Sequence, residues 1–245
     1  MVANDLEAIF DALAQELLPG ISLQPEAYKV QVVVYRDRIS YDQLMAELPH
    51  YEWSRGFYSP AGLIVFHLEQ PSNEAVMSLL LHEATHAFLD RQVVRPGVAL
   101  PRWLGEGFAD YVGNSRIQDG RLQPGKTLSR TFEMQKGGVR IVRTTAGGRL
   151  EEAKQALRQG KGLGVRAMLE ASPMIFYGEK SSLYYASSWL LVHYLRDGAA
   201  GWAQTRFPQL VLYLAEGYPQ TAAFRSVYGA PEPADADFRK YVKAF

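Results

Sequence analysis

The chain has no cysteine among its 245 residues, which removes disulfides, thiolate nucleophiles and cysteine-ligated zinc together. Any metal must then be held by histidine and carboxylate. Charge of one sign is also missing, since Lys+Arg and Asp+Glu each number 26, so nothing draws the molecule as a whole toward nucleic acid or an anionic membrane. Nucleic acid is therefore not an expected partner. The longest apolar runs, such as Gly62–Phe66 and Met77–Leu81, fall far short of the ~18–20 residues that cross a bilayer, and no transmembrane segment is expected. The first ten residues carry Asp5 and Glu7 where a secretory leader would carry basic residues and then an apolar stretch. The expectation is a cytoplasmic protein as written, or an exported one whose leader has been trimmed.

What is present describes a folded body. Hydrophobic residues make up 47% and charged residues 21%, close to ordinary globular averages, and a chain of this length can bury a large core. Asn4–Leu18 sets Leu6, Ile9, Phe10, Leu13 and Leu17 at helical spacing and ends at Pro19-Gly20. Valine-rich Lys29–Tyr35 and the run Gly62–Leu68 read as strands, the second preceded by the turn residues Ser59-Pro60-Ala61-Gly62. A helix is predicted over Asn73–Asp90, capped by Ser72 or Asn73 with Glu74 in its first turn, and a shorter one over Leu104–Val112. Arg116–Arg149 departs from this pattern. It gathers glycines, shows strand character at Val139–Thr145, and sets eight Lys and Arg against Asp119 and Glu133, which reads as a basic, hairpin-like excursion. Helical segments follow near Glu151–Gln159, Gly164–Ala171, Ser182–Arg196, Gln204–Ala215, Thr221–Tyr228 and Asp235–Val242.

The expected fold class is α+β, with a small N-terminal mixed sheet and helices followed by a mostly helical C-terminal half. One unit spans 1–245: a sheet-rich part over 1–72, a metal-binding core over 73–114, the basic insertion over 115–150 and the helical part over 151–245.

His82-Glu83-Ala84-Thr85-His86 is an H-E-x-x-H sequence on a predicted helix. Residues four apart stack on one helical face, so the two imidazoles can converge on a single cation. Glu83, turned about 100° from His82, stands beside the metal within reach of a water rather than in the ligand set. A catalytic zinc needs a third protein ligand and one open position. Glu106 supplies a candidate after 19 intervening residues from His86, behind a connecting loop over Arg91–Pro101 and flanked by Gly105 and Gly107, which permit helices to approach closely. Asp110, one turn further on the same face, can accept the spare ring N–H of a metal-bound histidine and fix its tautomer. The expected cofactor is Zn2+. His50 and His67 have no partner at ligand spacing and read as structural or surface groups.

Over Asn73–Asn114 these residues resemble the gluzincin metallopeptidases, of which thermolysin and aminopeptidase N are familiar members. The wording Leu81-His82-Glu83-Ala84-Thr85-His86-Ala87-Phe88, followed by Pro101-Arg102-Trp103-Leu104-Gly105-Glu106-Gly107-Phe108-Ala109, is similar to bacterial peptidase MA-like domains. The resemblance implies a thermolysin-like zincin catalytic fold and a zinc-dependent peptidase acting on a peptide or protein substrate. Its metal ligands are then His82, His86 and Glu106, and its general base is Glu83. In Tyr184-Tyr185-Ala186-Ser187-Ser188-Trp189 it further implies Tyr185, with Tyr184 as the adjacent alternative, as the hydroxyl donor to the oxyanion. His193, eight residues on, reads either as a cleft residue or as a hydrogen-bonded core histidine.

The Gly-x-Met-Glu-Asn strand by which aminopeptidases anchor a free amine has no counterpart in Gly56–Glu69, so exopeptidase action is not implied. Gly62–Leu68 remains a candidate edge strand for pairing with an extended peptide, or simply a core strand. Two other functions fit the same residues: a zinc-binding but non-catalytic scaffold, and an amidase or peptidase on cell-wall peptides, where the basic segment would meet an anionic polymer.

Overall fold

The computed structural model describes residues 2–24, 29–48, 55–70, 72–118, 121–123, 130–136, 139–145 and 148–244. Its architecture is mixed α+β: a three-stranded sheet and two short ribbons within a mostly helical chain. His50 and Asp119 lie outside the described residues.

Helix α1 (Val2–Ala12) runs into a wider π-type turn over Leu13–Leu17. Strand β1 (Gln31–Tyr35), helix α2 (Arg38–Ala46), and strands β2 (Gly56–Ser59) and β3 (Leu63–His67) follow. The sheet order is β1-β3-β2, with β1 parallel and β2 antiparallel to β3. Neither α2 nor β2 is expected from the sequence. The β2–β3 hairpin closes through Gly62 N–H to Ser59 O at 2.8 Å, with Gly62 at φ +85°, a value that glycine adopts without strain. β3 is buried along almost its whole length because both of its faces are covered. Ile64 and Phe66 enter the main core, whereas Val65 joins Tyr41, Met45 and Phe57 in a second cluster under α2.

This order selects the core-strand reading of Gly62–Leu68 over the edge-strand one. The strand within Gly62–Leu68 is central, with its backbone paired on both sides, and the edge position next to it belongs to Gly56–Ser59.

Helix α3 (Asn73–Phe88) begins where Ser72 accepts the Ala75 N–H on its side chain at 3.2 Å, and it continues through a π-type turn over Leu89–Val93. From that turn Arg91 donates to Pro60 O at 2.6 Å and to the Tyr58 hydroxyl at 3.2 Å, tying the hairpin to the end of the helix. Helix α4 (Arg102–Gly113) returns against α3. The segment read as one basic excursion is two antiparallel ribbons, β4 (Arg116–Gln118) with β5 (Arg121–Gln123) and β6 (Arg130–Lys136) with β7 (Val139–Thr145). The side chains over 116–150, and with them the basic character read there, lie outside what is described.

The helical half comprises α5 (Gly148–Arg158), α6 (Val165–Leu169), α7 (Pro173–Phe176), α8 (Ser181–Asp197), α9 (Arg206–Ala215), α10 (Gln220–Tyr228) and α11 (Pro231–Ala244). All but the four-residue α7 match expected segments to within a few residues at each end. α8 is the axis of this half. It packs on α4, α5, α6, α9 and α11, and one apolar core runs continuously from Ile9 to Val242. No helix among the described residues is long and apolar enough to cross a membrane.

The two glycines flanking Glu106 are not equivalent. A Cβ at Gly107 would stand 2.5 Å from Ser188 O, so α4 and α8 touch backbone to backbone there, whereas a Cβ at Gly105 meets nothing within 4 Å. Gly107→Ala is therefore expected to destabilise the fold by about 1–3 kcal/mol, because the obstacle is main chain and cannot rotate away. Gly105→Ala is expected to stabilise it by about 0.5–1 kcal/mol through helix propensity alone. Urea denaturation of the two variants checks both signs.

His67 offers a test by pH. It is 3% exposed, its ring lies 5.0 Å from that of Tyr41, and its Nε2 is 3.1 Å from the Gln70 side-chain nitrogen, which has only N–H groups to offer. Burial holds its pKa below the ordinary histidine value, with the nearby Arg38 acting in the same direction. A proton is thus better tolerated in the unfolded chain. The stabilisation is fully present above about pH 6.5 and is lost as pH falls from there through the lower folded-state value. Thermal melts between pH 7.5 and 5.5 should show a shallower decline for His67→Phe than for the parent; parallel declines would exclude this residue as the source.

Candidate metal centre

α3 and α4 together build the site. Helical spacing stacks His82 and His86 on the face of α3 turned toward α4, with ring centroids 4.8 Å apart and Nε2 atoms 3.2 Å apart. Glu106 on α4 brings Oε2 to 3.7 Å from the first of these nitrogens and 3.6 Å from the second. The three side chains are 13%, 23% and 12% exposed, so the cluster is sunk but reachable.

Asp110 is fully buried one turn beyond Glu106, with Oδ1 3.1 Å from His82 Nδ1. The position of α4 makes this possible, because the close contact at Gly107 sets the helix against α8 while the neighbouring face, with Glu106 and Asp110, meets α3. His82 thereby faces a carboxylate at both ring nitrogens. Burial works against its imidazolium, but the Asp110 and Glu106 carboxylates beside its ring nitrogens outweigh that and hold its pKa at about 9. Carboxylates that favour a proton here also favour a metal ion in its place. Burial likewise opposes the charged form of Glu106, yet the two histidines overcome it and keep this carboxyl well below the usual carboxylate range.

Glu83 turns to the side of this cluster and is 6% exposed. Burial pushes its carboxyl up, and His82 and His86 pull it back only in part. The Tyr58 backbone of β2 acts in the same direction as the histidines, and least of all. The Tyr58 side chain is itself anchored, donating to Asp90 Oδ2 at 2.6 Å while accepting from Arg91, so the edge strand is fixed at the position where it meets the glutamate.

The donor geometry suits a tetrahedral ion. Ligand atoms about 2.0–2.1 Å from zinc lie about 3.3–3.4 Å from one another, close to the 3.2, 3.6 and 3.7 Å separations here. Two imidazole nitrogens and one carboxylate oxygen form a His2Glu set, and His82, His86 and Glu106 are the group among the described residues able to hold a metal. Such a set leaves the fourth corner for water or substrate.

On the far side of Glu106, Tyr177 donates its hydroxyl to Oε1 at 3.1 Å. Sequence reasoning missed this residue. Tyr177 is 42% exposed, and the Arg102 guanidinium lies 5.6 Å from its ring centroid. Burial and the Glu106 charge push its hydroxyl up to about 12. Tyr185 packs its ring against Phe176 and Tyr177, and its hydroxyl bonds to that of Tyr177. Tyr184 instead is buried in the core against Phe176. Of the two adjacent tyrosines, Tyr185 is thus the one linked to the centre, through Tyr177.

His193 takes the core alternative. Its Nδ1 is 2.8 Å from the Tyr241 hydroxyl and 3.4 Å from Asp197, its ring lies among Tyr111, Trp189 and Tyr241, and burial lowers its pKa.

Zinc titration of the purified protein, with bound metal counted by elemental analysis, checks the donor set. One equivalent is expected, lost in Glu106→Ala. Asp110→Asn should retain the fold and weaken binding by about 10–100-fold, since it no longer offers a charged acceptor to His82 Nδ1.

No protein-family model matches this chain, and neither a curated protein nor a solved structure is found similar to it.

Proposed function

We propose that the chain is a zinc-dependent peptidase of gluzincin type, with a thermolysin-like catalytic fold, that hydrolyses amide bonds of a peptide or protein substrate. One observation carries this reading. Two imidazole nitrogens and a glutamate oxygen converge at tetrahedral-edge distances, with a second, independent glutamate buried beside them. A site built only to hold zinc has no use for that second carboxylate, whereas hydrolysis needs a base there.

When bound by His82, His86 and Glu106, zinc supplies Lewis acidity, polarising a carbonyl and lowering the pKa of a water toward ~7. The remaining work falls to the chain. Glu83, its carboxyl raised by burial, takes the proton from the attacking water and returns it to the departing amine. Asp110 keeps the His82 ring turned so that Nε2 faces inward. Tyr185 is the hydroxyl proposed to meet the oxygen of the scissile carbonyl, its proton turning from the Tyr177 hydroxyl to that oxygen when substrate is bound.

Digestion of casein and of a mixed peptide library, with and without a chelator, tests the reading. Cleavage that chelator abolishes and zinc restores is expected. Glu83→Gln should retain one zinc while kcat falls by at least about 10²-fold. A zinc-loaded parent that cleaves neither substrate would point to the scaffold reading, and a Glu83→Gln variant as active as the parent would remove Glu83 from the base role.

A further inference from the structure

We propose that Tyr177 is a positioning residue that keeps Glu106 a one-oxygen ligand, and so keeps a coordination corner open at the centre. The inference rests on the metal-binding reading above and concerns how that site is kept reactive.

The two oxygens of Glu106 have different surroundings. Oε2 faces His82 Nε2 and His86 Nε2 at 3.7 and 3.6 Å, whereas Oε1 accepts the Tyr177 hydroxyl at 3.1 Å. A carboxylate near a cation can bind through one oxygen or through both, and the second mode uses a corner that water or substrate would otherwise occupy. A hydrogen bond to one oxygen biases the group toward single-oxygen binding through the other. Hydrogen-bonded ligating carboxylates are a general means of tuning metal sites.

Tyr177 is built to donate in this direction. It follows directly on α7, whose Ser172 side chain accepts the Ile175 N–H at 3.3 Å and fixes the start of the turn. The turn's last residue, Phe176, is fully buried, with its ring 5.2 Å from that of Tyr177. Arg102, four residues before Glu106 on α4, covers the ring from another side. The hydroxyl-to-hydroxyl bond with Tyr185 leaves the Tyr177 proton free to point at Glu106, and successive hydrogen bonds of this kind polarise one another. The contact thus joins residues 71 apart in the chain through a ring held on several sides.

Tyr177→Phe removes the hydroxyl and retains the ring, so the fold should persist; the melting curve of the variant before metal is added checks this. Zinc affinity, measured by competition with a chromophoric chelator, is expected to weaken about tenfold. The cobalt-substituted protein supplies a readout that a merely structural role would not move. Its visible absorption should fall in the variant, as a second Glu106 oxygen joins and the ion passes from four to five ligands, whereas Tyr185→Phe should change it less. A variant with parental zinc affinity and an unchanged cobalt spectrum would overturn the role of Tyr177 while leaving the centre itself intact. A parent chain that binds neither zinc nor cobalt would overturn both.

Discussion

The position of α4 is the constraint on which the rest of the centre depends. It carries Glu106 and Asp110 on one face and Gly107 on another, and the missing Cβ at Gly107 brings its backbone against Ser188 of α8. α3 lies on the other side with His82 and His86. Ligand separations of 3.2–3.7 Å are thus set by how two helices are held apart, and α8 is the wall that holds them. A side chain at position 107 would move both carboxylates together toward or away from the histidines. One packing contact therefore sets the ligand and the acceptor behind His82.

The electrostatics of the cluster call for a cation. Glu83, Glu106 and Asp110 are three carboxylates mostly or fully withdrawn from water, and they face two imidazoles that are neutral unless protonated. Charge buried without compensation is costly, and a single proton on His82 offsets only part of it. A divalent ion among the donors offsets more and satisfies the inward lone pairs of both rings. The shifts at His82 and Glu106 express this demand, one group holding a proton more tightly than usual and the other losing it more readily.

Much of this was legible in the sequence because it is local. The H-E-x-x-H spacing is read from five residues, and the helical period places its histidines on one face without knowledge of the fold. Glu106 and Asp110 stand one turn apart for the same reason. Sheet order was less legible. β3 is an uninterrupted apolar run, the pattern of a strand covered on both faces, and that signal favoured a central position over an edge one. β2 is four residues long, too short to show alternation, and its last residue also belongs to the turn motif. α2 interrupts its apolar positions with Arg38, Asp42 and Gln43 and leaves Ile39 exposed, because it buries only Tyr41 and Met45 against a small satellite cluster.

Tyr177 shows where local reading ends. Nothing in Ser172–Gly178 has a helical or strand period, and α7 makes only one short turn. Its exposed Met174 and Ile175 give no hint of a polar task next door. The residue gains its role only because α8 delivers Tyr185 beside it, next to the buried Phe176 of its own turn, and α4 delivers Glu106 opposite. The resemblance that singled out Tyr185 located the correct side of the centre but not the hydroxyl in contact with the ligand. Tyr177 touches the glutamate, and Tyr185 reaches it only through Tyr177. A pattern read along the chain cannot resolve such a difference, because it is decided by packing between α7 and α8 rather than by the spacing of residues on either.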